Sequence, residues 1–237
     1  MLWIETVLLF ILAFLPPIIY VIWIRNTEKH NRERWKSIII CFMWGATIAV
    51  VAAIFLEFIL EISLVLSMKD FSLFDFVAIV VIAPFAEELV KPLALRVKTV
   101  KKELTEPEDG LIYGAVAGLG FSATENLLYG YNFFSKGFMI FLMLMIIRSV
   151  GGCLLHASAT ALTGYGYGKS IMHQKSLLRV IPFFIVAILL HAFYNFVVSY
   201  EEIGLVAGLL TAILFVILTI HLIRKKIRNL DGQRSLL

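Results

Sequence analysis

The sequence predicts an all-α, polytopic membrane protein of about seven transmembrane helices, with the N-terminus outside and the C-terminus in the cytoplasm. Three observations carry this expectation. Hydrophobic residues make up 60% of the 237 and the mean hydropathy is +0.91, more apolar side chain than a soluble domain uses. Seven segments reach the roughly 20 residues that a bilayer crossing needs. Lys and Arg fall almost entirely in alternate connecting loops, as the positive-inside rule requires.

In chain order the spans lie near 2–24, 38–66, 72–95, 110–130, 138–165, 180–199 and 203–223. The first reads as a retained span rather than a cleaved signal. It has no basic residue before it, and its basic flank (Arg25, Lys29, Arg32, Arg34, Lys36) follows it. The second carries Glu57 and Glu61 toward its outer end, where an interfacial position is expected. The third holds Glu87, Glu88 and Lys91 and leads into a cytoplasmic loop with Arg96, Lys98, Lys101 and Lys102. The fourth has Gly114-x-x-x-Gly118, a close-packing pattern that recurs as Gly204-x-x-x-Gly208 at the start of the seventh. The fifth ends in Gly164, Gly166 and Gly168, read as a flexible inner end, before Lys169, Lys175 and Arg179. The outer loops hold only Lys69 and Lys136.

Residues 1–223 therefore read as one integral-membrane domain and 224–237 as a basic cytoplasmic tail. The net charge of +4 reports topology; no basic stripe interleaved with aromatics points to nucleic acid. Cys41 and Cys153 both fall inside spans and read as free, apolar packers.

Ionisable groups inside the spans carry the functional argument. A carboxylate near mid-bilayer costs roughly 2.5–3.5 kcal/mol on insertion scales, so the adjacent pair Glu87-Glu88 needs a reason. Lys91, four and three residues on, shares their helix face. Span four adds Glu125 and Asn126. Span five adds Arg148, His156 and, one turn beyond, Thr160; span six adds His191 and, one turn beyond, Asn195. Singly, such a His or Asn is interhelical glue. Together, three carboxylates and two imidazoles on four consecutive spans point to one shared cavity.

Two chemistries fit that cavity. A carboxylate there can activate water as a general base, with His and Asn donating to an oxyanion. Alternatively His156, His191, Glu88 and Glu125 could ligate zinc and leave one position for water. No Ser-His-Asp, His-Glu-x-x-His or phosphate-loop pattern is present. Straight-helix counting at about 1.5 Å per residue leaves Glu88 and Glu125 on the order of 10 Å apart in depth, a gap that bends at Pro84 and the span-four glycines would have to close.

Glu87-Glu88-x-x-Lys91, Phe121-x-x-x-Glu125-Asn126, His156-x-x-x-Thr160 and His191-x-x-x-Asn195 resemble the motifs of the PrsW family of intramembrane proteases. Asp109-Gly110 through Gly120-Phe121, and Arg148 ahead of His156, are similar to that family as well. The likeness covers about residues 84–198 in four ordered blocks. It implies a multi-spanning endopeptidase related to the CAAX-processing and bacteriocin-immunity proteases. The family's best-known role is the first cut of a membrane-anchored anti-sigma factor. Some relatives carry Asp where this chain has Asn195, which cannot act as a base and so is expected to orient groups or stabilise charge.

The sequence is therefore read as a multi-pass cell-membrane endopeptidase that cuts a membrane-anchored, single-pass protein. Glu88, or its neighbour Glu87, is the water-activating base, His191 and Asn195 stabilise the oxyanion, and Glu125 and His156 complete the site. Lys91, Asn126, Arg148 and Thr160 support it. No cofactor is committed, and zinc is the alternative. The competing readings are a proton- or cation-coupled transporter, a zinc-dependent lipid-amide hydrolase, and a non-catalytic immunity or scaffold protein.

Overall fold

The computed structural model describes residues 3–65, 71–174, 176–200 and 203–234; Lys69 and Lys175, two of the charges used to orient the chain, lie outside them. The described residues form helices and no strands. Helix α1 (Trp3–Arg25) is joined by a loop to α2 (Trp35–Trp44), which passes through a π turn (Gly45–Ala49) into α3 (Val50–Val65). Next come α4 (Phe71–Val77), a second π turn (Ala78–Ile82), α5 (Ala83–Val90) and a 3-10 stretch (Lys91–Arg96). A short α6 (Lys98–Glu103) precedes the long helices α7 (Pro107–Phe134), α8 (Phe138–Met172), α9 (Ile181–Ser199) and α10 (Leu205–Arg234).

Five stretches are long and apolar enough to cross a membrane: Glu5–Arg25, Trp35–Val65, Phe138–Met172, Leu177–Ser199 and Val206–Gln233. They turn large apolar side chains outward, among them Leu15, Phe55, Ile146, Leu189 and Leu214, and make this a multi-pass membrane protein. Two expected spans take other forms. Residues 72–95 are not one helix but four short pieces. Residues 110–130 lie within α7, which is buried without a break from Glu108 to Ala123. Helix α7 is the centre of the bundle, packed by α1, α2, α8 and α10. Surrounded by protein, it needs small and polar residues for contact rather than apolar ones for lipid.

The α7–α8 contact is a glycine seam. A Cβ on Gly110, Gly114 or Gly118 would strike the carbonyl of Gly164, Thr160 or His156 respectively. This spacing lays the α8 backbone directly on α7 and fixes the depth of His156 and Thr160. Gly164 belongs to the seam, and α8 continues past it to Met172, so the fifth span has no flexible inner end there. Gly204 is a turn residue at φ +77° rather than a packing position, while Gly208 does sit on the Val197 carbonyl.

Residues 224–234 continue helix α10. Helix α10 runs through residue 223 unbroken, burying Ile223 and Ile227. Asp231 then accepts bonds from the backbone N–H groups of Lys29 and His30 and lies 2.9 Å from His30 Nδ1, and Arg224 Nε donates to Thr27 Oγ1.

Candidate active site

The glutamate pair sits on a deliberately broken helix. Pro84 opens α5, and Pro92, which has no N–H to give, comes where the chain tightens into the 3-10 stretch. Trp44 Nε1 donates to the Val90 carbonyl at 3.1 Å. The two π turns are also tied to neighbours: Thr124 Oγ1 donates to the Ala46 carbonyl at 2.7 Å and Asn195 Nδ2 to the Ile79 carbonyl at 2.9 Å. Turns of this kind misalign backbone groups and recur at functional sites. The second π turn and the 3-10 stretch flank α5, the helix that carries Glu87 and Glu88, with Lys91 opening the 3-10 stretch.

Lys91 is the hub. Its ammonium donates to Glu87 Oε2 at 2.7 Å, Glu88 Oε1 at 2.9 Å and His156 Nδ1 at 2.8 Å, which uses all three protons. The side chain is fully enclosed and lies 4.2 Å from the centre of the Phe121 ring. Because His156 Nδ1 accepts from Lys91, its Nε2 carries the proton and donates to Glu125 Oε2 at 2.7 Å. Arg148 pairs with the same Glu125 oxygen at 2.7 Å, and its Nε donates to Asn126 Oδ1 at 2.8 Å.

Glu88 is saturated. Its Oε1 takes Lys91 and His191 Nδ1, the latter at 3.0 Å, and its Oε2 takes Thr160 Oγ1 at 2.9 Å. With Nδ1 donating, His191 turns Nε2 toward Glu87 Oε2 at 3.9 Å. Glu87 spends one oxygen on Lys91, and among the described residues no donor meets its Oε1. Its side chain is 9% exposed and that of Glu125 20%, against none for Glu88. Formally, three carboxylates face two cations, so the site carries one negative charge when both imidazoles are neutral.

The expected residues thus meet, with two adjustments. The depth gap between Glu88 and Glu125 is bridged by the His156 ring, which touches Lys91 at one nitrogen and Glu125 at the other. Asn195 spends its amide on the Ile79 carbonyl rather than on the cluster. Glu57 is half-buried. Sequence reasoning gave no role to Phe121 or to Tyr129, which lies 4.0 Å under the Arg148 guanidinium. The i, i+4 spacing of Phe121, Glu125 and Tyr129 was the available sign. A cavity of about 230 Å³ ends at Glu88, walled by Leu89, Thr163, Tyr167, Ile181 and Phe184.

Donor atoms of Glu87, Glu88, His156 and His191 all lie within 4.8 Å of one another, the type and spacing of a metal set. Glu125 stands outside that set, beyond His156. Lys91 Nζ, however, already bonds three of the four donors.

Residues 33–222 match the family described as PrsW family intramembrane metalloprotease. Protease PrsW of Clostridioides difficile (strain 630) is 30% identical over 197 residues, covering 81% of this chain and 80% of that protein. No solved structure matches the chain. A multi-pass bundle with paired glutamates, two histidines and a lysine at its centre, matched over most of its length to these proteins, is a peptide-bond hydrolase of the membrane, and the chain belongs to the PrsW family.

Proposed function

We propose that the protein cuts a membrane-anchored, single-pass protein by glutamate-activated water, with Glu87 as the base. The observation that carries this is the asymmetry of the pair: Glu88 is enclosed and saturated, while Glu87 keeps one oxygen without a described donor and some open surface. Glu87 takes a proton from water as its oxygen attacks the scissile carbonyl. The same proton passes to the departing amide nitrogen as the C–N bond breaks, leaving a carboxylic acid and an amine; the acid's proton then moves to the amine, giving carboxylate and ammonium. His191 Nε2, aimed at the same place, is the imidazole nitrogen placed to meet the oxyanion, donating to it from a protonated ring. Glu88 is the brace that fixes Lys91, His191 and Thr160. Arg148, Asn126 and Glu125 hold His156, and Asn195 holds the π turn ahead of the pair.

The donor set suits zinc in type, yet the position is taken. A dication on Glu87, Glu88 and His156 would face an ammonium that these same atoms hold at 2.7–2.9 Å. The residues do not fit a metal while Lys91 is in place, and the proposed chemistry uses none.

A seven-span topology with cytoplasmic C-terminus accommodates this site, with α7 and the broken 71–96 segment as the interior crossings. The apolar cavity at Glu88 suits an unwound stretch of a transmembrane segment, since helical hydrogen bonds would shield the scissile carbonyl. An anti-sigma-type substrate falls in this class. The test is cleavage of a single-pass reporter in proteoliposomes. Glu87→Gln should abolish cutting with a smaller fall in the unfolding midpoint than Glu88→Gln, because it weakens one contact to Lys91 where Glu88→Gln weakens contacts to Lys91, His191 and Thr160. Full cleavage by Glu87→Gln would overturn the assignment.

A further inference from the structure

At the loop end of the bundle, far from the catalytic cluster, a second group of acids is buried. Glu28 and Glu33 come from the α1–α2 loop, and Glu106 and Glu108 from the start of α7; all are at most 9% exposed. Glu108 and Glu125 are 17 residues apart on α7, about 25 Å at 1.5 Å per residue. Carboxylate oxygens of Glu28, Glu106 and Glu108 lie within 4.8 Å of one another.

The independent sign is Glu33. It is 5% exposed, its carboxylate faces that of Glu28, and neither of its oxygens meets a hydrogen-bond donor among the described residues. Arg25 Nε donates to the backbone carbonyl of Glu33 rather than to its carboxylate. No described Lys or Arg forms an ion pair with Glu33 or Glu108. Burying carboxylates costs several kcal/mol each unless a cation or proton compensates.

We propose that a hard divalent cation, calcium or magnesium, binds between this loop and the α7 start, held by Glu28, Glu106 and Glu108, with Glu33 beside Glu28 adding its charge. All-oxygen donors select hard cations over zinc, and oxygens up to 4.8 Å apart can share one calcium at about 2.3–2.6 Å from each. Asn31 Nδ2, donating to Glu106 Oε1 at 2.8 Å, already ties the same two elements. The cation would lock the loop to the helix that carries Glu125.

The test uses the full chain with Glu87→Gln, which removes a donor from the other cluster and prevents self-cleavage. After chelation, calcium or magnesium is titrated and thermal unfolding followed in detergent. A rise of about 5–10 °C at roughly a hundredfold excess over the dissociation constant is expected with at least one of the two. Glu33→Gln with Glu108→Gln should reduce the affinity at least tenfold. If that pair fails to fold, terbium bound to the unaltered site, sensitised by nearby aromatics and displaced by calcium or magnesium, supports the same conclusion. No rise with either cation, a rise unchanged in the double variant, or no terbium binding would each overturn the proposal.

Discussion

Replacing Lys91 with methionine is the most direct perturbation of the site, because it keeps the side chain's length and deletes its charge. The ammonium makes bonds of 2.7, 2.9 and 2.8 Å to Glu87, Glu88 and His156, and the side chain has no exposed surface. Removing one partner of a buried ion pair costs about 3–5 kcal/mol. For a chain of this size, 1 kcal/mol moves the midpoint by about 2–4 °C, so a fall of about 6–20 °C is expected in detergent. Cleavage should drop to background, because the site's formal charge goes from −1 to −2 and a glutamate must then hold a proton it should accept from water. Adding Glu88→Gln returns the formal charge to −1. That double variant should recover at least half of the lost midpoint while still failing to cut. The assay pairs scanning fluorimetry with reporter cleavage in proteoliposomes. A Lys91→Met protein with native midpoint and native cleavage would refute the reasoning. So would one zinc per native chain whose removal and return switch activity off and on, since an ammonium and a dication cannot share these donors.

Further outcomes follow from single contacts. Thr160→Val deletes the hydroxyl that donates to Glu88 Oε2 at 2.9 Å; it should cost about 1.5–3 kcal/mol, as for a bond to a charged group, read as a lower unfolding midpoint. Gly118→Val places a side chain against the His156 carbonyl and should separate α7 from α8, lowering cleavage together with stability. Asn195→Ala should lower the midpoint through the freed Ile79 carbonyl while leaving measurable cleavage; complete loss of cutting in a normally stable protein would instead make Asn195 catalytic. For topology, single cysteines at positions 30, 104, 173 and 232 of a cysteine-free variant should resist an impermeant thiol reagent in intact cells, and one at position 136 should react.

The membrane class was legible because the lipid-facing helices need apolar residues whatever they pack against. The broken segment and the buried helix were not, for opposite reasons. In 72–95 most residues are apolar, so hydropathy reads it as one span; the interruptions are a π turn at Ala78–Ile82, whose Ile79 carbonyl is met by Asn195 of another helix, and the 3-10 stretch from Lys91. Such partners are tertiary and leave no local trace. In α7 the Gly114-x-x-x-Gly118 pattern was readable as close packing, yet its register against Thr160 and His156 depends on α8. The basic end of the chain read as a tail because its charges suggest solvent; Ile223, Ile227 and Asp231, which dock it, are spaced along one helix and could have been read as such.

The membership of the site was more legible than the division of labour within it. The residues could be gathered because ionisable groups in apolar spans demand compensation, and the i, i+4 partners put each on one face. What spacing cannot express is which oxygen is already spent. Glu87 and Glu88 are adjacent and chemically identical, but adjacent helical residues point about 100° apart, so their surroundings differ. Glu88 meets Lys91, His191 and Thr160 and is closed on both oxygens; Glu87 hydrogen-bonds Lys91 through one oxygen. A general base needs a free lone pair and a path for water, and a brace needs neither. The same reasoning separates the histidines. His156 has both nitrogens committed, between Lys91 and Glu125, and serves as a strut across the depth gap. His191 has one nitrogen committed and the other directed at Glu87, so it is the imidazole that can still meet a substrate.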